Sequence, residues 1–178
     1  MKITRATIER LIKEELRKTL LLEYEEGARV FRSPKEFTVF QNVELTKQKT
    51  QAKPAGLWYS CGAAWDEWCE YGMPEWITGA PHVYSLEINP SNMLVINTGE
   101  ELMAFNEEYG KDFHSMSFID WAAVAQQYDG IEICPYQWKY RTDLSWYYAW
   151  DVASGCIWGE RAFKSVEKIK DPCRSEQE

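Results

Sequence analysis

Apolar side chains return every three or four positions at the start of the chain, at Ile8, Leu11, Ile12, Leu16 and Leu20. Glu9–Lys13 and Glu14–Lys18 stand at the i, i+4 spacing that supports a helix. The spacing predicts a charged amphipathic helix over 4–26, with Gly27 as its stop. The period then changes. "EFTVFQNVEL" (36–45) alternates apolar and polar residues and predicts a strand, and "TKQKTQAKP" reads as a polar loop. "GLWYS" (56–60) is a short apolar run behind Pro-Ala-Gly and predicts a buried strand. In "GAAWDEWCEYG" (62–72) the helical period returns, with Trp65, Trp68 and Cys69 on one face and Asp66, Glu67 and Glu70 elsewhere.

"HVYSLEI" (82–88) and "MLVINT" (93–98) predict two more strands around the turn "NPSN". "TGEELMAFNEEYG" carries Thr98 three residues ahead of Glu101 and ends at Gly110, the signature of a capped helix. "SFIDWAAVAQQY" (117–128) predicts a further helix, and "DGIEICPY" (129–136) a strand after an Asp-Gly turn. "SWYYAWDVASGCIW" (145–158) predicts one strand or two, and the chain closes with "ERAFKSVEKI" (160–169). Short strands interleaved with short helices make an α+β domain over 36–169, preceded by the helix in 1–27 and followed by a polar tail, 170–178. At 178 residues the chain is long enough for one well-buried core.

Composition narrows the function. Aromatic residues are 15% of the chain, and all nine Trp fall between Trp58 and Trp158, so the core is expected to be rich in rings. Net charge is −8, which argues against broad contact with a nucleic-acid backbone while leaving room for a nucleic acid met at a small local site. The five Cys show no C-x-x-C spacing and read as buried or idle reduced thiols. With His82 and His114 as the only histidines, a metal site is not expected. No run nears the ~20 apolar residues of a membrane helix. "MKITRATIERLIKEEL" is too broken by charge for a secretory signal, so a cytoplasmic location is the default.

The order of motifs adds a resemblance. "GLWYS", the aromatic helix behind it and "VYSLEINPSNMLVINTGEELMAFNEEYG" resemble the middle of ADP-ribosyltransferase domains, most closely the diphtheria-toxin-like branch. "AVAQQYDGIEICPY" and "AFKSVEKI" look like the later strands of phage-borne polyvalent-protein members of that superfamily. The opening "ITRATIERLIKEEL" is similar to leaders of tailed-phage proteins. The resemblance spans roughly 36–169 and implies split mixed or antiparallel sheets with short helices. It implies NAD as substrate and an acceptor that is a host protein, a nucleic acid, a small molecule or water.

Carried over by position, Tyr59 would be one ring against nicotinamide, Trp68 or Tyr71 the other, and Ser60 a hydroxyl pinning strand or ribose. Where family members have a His or Arg on the first strand, "TVFQN" offers Gln41 or Asn42. Glu132 in "DGIEI" is the first choice for the catalytic carboxylate, with Asp151 and Glu160 behind it. The residue types suit the chemistry. Breaking the nicotinamide–ribose bond passes through an oxocarbenium-like state, which a carboxylate beside the ribose stabilises and a flat apolar slot orients.

Other constellations are poorer. G-x-S-x-G is absent around Ser60, Ser85 and Ser154, and Cys156 lacks an evident His base. Two non-enzymatic readings stand beside the first. Trp58, Trp65, Trp68, Trp146 and Trp150 would suit a ring platform for a glycan or nucleobase. An acidic protein of this size would equally suit a decoy that occupies a host protein's basic site.

Overall fold

The computed structural model describes Ile8 and residues 27–171. The helix expected over 4–26 and most of the polar tail lie outside the described residues, apart from Ile8, which is exposed. Ten strands follow: β1 (Arg29–Ser33), β2 (Thr50–Gln51), β3 (Leu57–Cys61), β4 (His82–Ile88), β5 (Met93–Ile96), β6 (Gly110–Phe113), β7 (Met116–Asp120), β8 (Gly130–Ile133), β9 (Ser154–Ile157) and β10 (Phe163–Ile169). Four short helices lie between them, α1 (Ala64–Gly72), α2 (Pro74–Gly79), α3 (Gly99–Tyr109) and α4 (Trp121–Val124). The fold is α+β. Seven strands form one mixed sheet in the order β10-β4-β1-β3-β9-β8-β5, and β2-β7-β6 form a second. Only the β5–β8 pair is parallel among the described pairings.

The strand period of two explains both cores. Trp58 pairs with Cys156 and Cys156 with Ile131, so these side chains share one face of the large sheet. That face meets α3, α4 and the aromatic segment 144–150, in a core holding Ile96, Leu102, Phe105, Trp121, Ile133, Trp146 and Trp150. The indole N–H groups inside it are satisfied. Trp121 donates to Gln51 O, Trp146 to Asn106 Oδ1, and Trp158 to Tyr128 O. The opposite face carries Phe31, Tyr59, Tyr84, Leu86 and Ile157.

The helix expected from Thr98 and Glu101 forms as a full capping box. Three expectations are corrected. Residues 36–45 are not a strand. β4 already has β1 and β10 on its two edges, so the segment crosses the sheet as an irregular strap. Its rings serve as packing, with Phe40 stacked 4.8 Å from Phe163 and the Phe37 N–H donating to Tyr84 Oη at 2.9 Å. The first strand is instead "RVFRS", so the folded body begins before residue 36.

The helix expected over 117–128 splits into β7 and α4, because "MSFID" pairs with both β6 and β2, and the Asp120 carboxylate then caps the helix at Ala123 N. Within 145–158 only Ser154–Ile157 is extended, preceded by a 3-10 turn at Tyr147–Trp150. The thiols also differ from expectation. Cys61 and Cys134 are joined as a disulfide, while Cys69 and Cys156 are buried. Among the described residues no helix is long and apolar enough to cross a membrane.

Candidate active site

On the Tyr59 face of the large sheet, one transverse row runs Tyr59–Gly155–Glu132, each residue paired in register with the next. Gly155 lets the row close. A Cβ there would stand 2.3 Å from both Cζ and Oη of Tyr59, so the missing side chain is what lets the phenol lie across β9. The Tyr59 hydroxyl then donates to Glu132 Oε2 at 2.9 Å.

From β1, Arg29 closes on the same carboxylate, Nε to Oε2 at 2.5 Å and Nη2 to Oε1 at 2.9 Å. Arg29 pairs with Cys61, two residues beyond Tyr59, which places it on the same face. Glu132 is 5% exposed and Tyr59 2%, whereas the Arg29 side chain is 28% exposed. The guanidinium is therefore the solvent side of the cluster.

Electrostatics follow the geometry. Hydrogen bonding to Glu132 raises the Arg29 guanidinium above its ordinary value, against burial that lowers it. Burial, with the Glu132 carboxylate beside it, holds the Tyr59 hydroxyl well above the usual tyrosine range. A bidentate Arg–carboxylate pair with a third donor fixes the carboxylate's orientation as well as its charge. The Cys61–Cys134 bridge borders the row, and its two sulfurs and a Glu132 oxygen lie within 4.8 Å of one another. Joined to each other, the sulfurs have no thiolate to offer a metal, and Arg29 already occupies the carboxylate.

The other sequence candidates lie elsewhere. Ser60 is buried and points to the opposite face, donating to Val30 O and Gly62 O as a strand-end clasp. Trp68 stacks with Trp65 at 5.2 Å and lies 6.0 Å from Trp76, a ring cluster on α1 and α2. Tyr71, on the same helix, is 94% exposed. Gln41 is exposed on the strap, and its neighbour Asn42 exchanges hydrogen bonds with Glu160 across a concavity of about 300 Å³ that also touches Asp129 and Arg161. Asp151 pairs with Lys53 and Arg141. Of the residues named from sequence, Tyr59 and Glu132 come together.

Arg29 and the Cys61–Cys134 pair were not singled out from sequence. "RVFRS" carries only two adjacent apolar residues, Val30 and Phe31, and so shows no period of two. A separation of 73 residues hides the cysteine pair. Comparison of the chain with protein-family models, with curated proteins and with solved structures gives no match.

Proposed function

We propose that the chain cleaves the nicotinamide–ribose bond of NAD and passes ADP-ribose to a host protein, a nucleic acid, a small molecule or water, with Glu132 as the working carboxylate. The observation that carries this reading is the convergence of Arg29 and Tyr59 on Glu132 from three strands of one sheet. An anionic oxygen held by fixed donors meets the need of an oxocarbenium-like state, whose positive charge grows as nicotinamide leaves. The resemblance asked for a basic residue on the first strand, and Arg29 stands on it. With Nε and Nη2 on Glu132, the solvent side of the Arg29 guanidinium would be left to meet NAD's phosphates. Tyr59 acts in this scheme through its hydroxyl, which anchors Glu132, and not as a stacking ring.

The test is release of nicotinamide from NAD, followed by chromatography, for wild type, Glu132→Gln and Arg29→Lys. The expected loss for Glu132→Gln is on the order of 10²–10³-fold. Circular dichroism melts establish that each variant is folded. Full turnover by Glu132→Gln, or a wild-type protein that neither releases nicotinamide nor melts higher with NAD, overturns the reading.

A second reading has its own observation. Trp65, Trp68 and Trp76 stack at the surface with Trp76 45% exposed, beside exposed Tyr71, Glu67 and Glu75. Rings flanked by carboxylates suit an Arg- or Lys-rich segment of a partner protein. Trp146 and Trp150 are buried and belong to the core instead. Capture of a basic host protein that Trp76→Ala abolishes would favour this reading over the enzyme.

A further inference from the structure

Beyond β8 the chain turns through Tyr136, a 3-10 turn at Trp138–Tyr140 and Arg141, and meets the segment that ends at Asp151. Tyr136 is buried, stacked 4.9 Å from Tyr147 and edge-on to Trp138 at 4.7 Å. Neither its hydroxyl nor Arg141 Nε has a hydrogen-bond partner, and both atoms are buried. Folded proteins hold few such atoms, so two in one cluster call for an explanation.

The surroundings supply one. The Arg141 guanidinium lies 4.9 Å over the Tyr148 ring and 5.8 Å over Trp138, two rings that are 58% and 65% exposed. Its Nη2 reaches Asp151 Oδ1 at 3.5 Å, and Lys53 stands 3.8 Å from the other oxygen of Asp151. Burial lifts the Tyr136 hydroxyl to about 12, and the charges of Arg141 and Asp151 act on it from close by. Asp151 itself adopts a φ of 55°, a left-handed conformation that non-glycine residues seldom hold and that gathers at binding sites.

An Arg N–H can only donate, and a tyrosine hydroxyl can donate. The missing partner is therefore an acceptor. In a chain of net charge −8, Arg141 and Lys53 here outnumber Asp151, which favours an anion. Two exposed rings beside the donors ask for a flat group on the same ligand.

We propose that Tyr136, Trp138, Arg141 and Tyr148 form a nucleotide-binding site, with the phosphate accepting from Arg141 Nε–H and Tyr136 O–H and the base stacked on Trp138. Trp138 packs edge-on against Tyr136, lies 5.8 Å from the Arg141 guanidinium and is exposed, so rotation of its ring, a fast motion for a surface side chain, would change access to both donors. The site is separate from Glu132, and a chain that releases no nicotinamide can still possess it.

The experiment titrates the intact protein with adenosine 5′-monophosphate, with a short single-stranded oligoadenylate and with inorganic phosphate, read by calorimetry and tryptophan fluorescence. Tyr136→Phe removes only an unbonded hydroxyl, so its melting temperature is expected at or above that of wild type. It should nevertheless bind the mononucleotide about tenfold more weakly. Arg141→Lys keeps the charge without the Nε–H and should weaken binding by a similar factor. Tighter binding of the oligonucleotide than of the mononucleotide assigns the site to a nucleic-acid strand, and the reverse to a free nucleotide. Mononucleotide binding that is absent in wild type, or equal in wild type, Tyr136→Phe and Arg141→Lys, overturns the proposal.

Discussion

Replacing Gly155 by Ala perturbs the Glu132 row without touching a charged group. The added Cβ would lie 2.3 Å from two atoms of Tyr59 and 2.8 Å from Ile131 O. The carbonyl belongs to a strand paired with both β5 and β9 and has little freedom to move, so the tyrosine ring must give way. Overpacking of this kind costs about 1–3 kcal/mol. Displacing the ring also breaks the 2.9 Å bond to Glu132, a charge-assisted hydrogen bond worth about 1.5–3 kcal/mol. Together these give a loss of roughly 3–5 kcal/mol, or about 10 °C in melting temperature for a domain of this size. Urea unfolding of wild type, Gly155→Ala, Tyr59→Phe and the double variant measures both the loss and the coupling. The two substitutions should be strongly non-additive, because each removes the same hydrogen bond. A Gly155→Ala protein within about 0.5 kcal/mol of wild type, the usual range for substitutions at featureless sites, would refute the account of how Tyr59 reaches Glu132.

Two further outcomes follow from buried charge and buried phenols. Arg32 binds Asp66 and Asp171 with four hydrogen bonds of 2.6–3.0 Å, all three side chains being buried. Arg32→Ala removes four charge-assisted hydrogen bonds from Asp66 and Asp171 and should cost about 3–5 kcal/mol in urea unfolding. Arg32→Lys should recover only part of that, since an ammonium cannot fork to both partners. Burial also raises the hydroxyls of Tyr59, Tyr136 and Tyr147 above the ordinary tyrosine value of 10.0. Above that pH the unfolded chain releases protons that the folded chain keeps. Their contribution is thus complete below about pH 10 and is lost as pH rises through the folded values. Tyrosinate absorbance and circular dichroism, followed from pH 9 upward, should show these phenols ionising together with unfolding. Ionisation of all ten tyrosines before any loss of ellipticity would contradict this.

What the sequence revealed depended on whether the signal was local. β3, β4, β5, α1 and α3 were legible because each has its own period and its own stop, as Thr98, Glu101 and Gly110 show for α3. The strap at 36–45 misled because alternation reports a half-buried surface and not a ladder partner. Phe37 and Phe40 face the sheet without joining it. "SFIDWAAVAQQY" misled in the other direction, since Trp121 and Val124 continue a helical spacing that begins only at Asp120. Within the site, Glu132 and Tyr59 were reachable through motif order. Arg29 and Gly155 were not, because their roles exist only once β1, β3, β9 and β8 lie side by side. Long-range register decides that, and no short window of sequence records it.

The bridge from Cys61 at the end of β3 to Cys134, just past β8, has a topological consequence. Everything from residue 62 to residue 133 is a covalently closed ring, and the β6–β7 hairpin tip, with exposed Phe113 and Met116 and a left-handed His114, projects from it. A protease that clips this tip, the sort of exposed corner such enzymes favour, severs the peptide backbone without separating the two halves. The β1 and β3 half would stay tethered to the half bearing Glu132 until a reductant opens the bond.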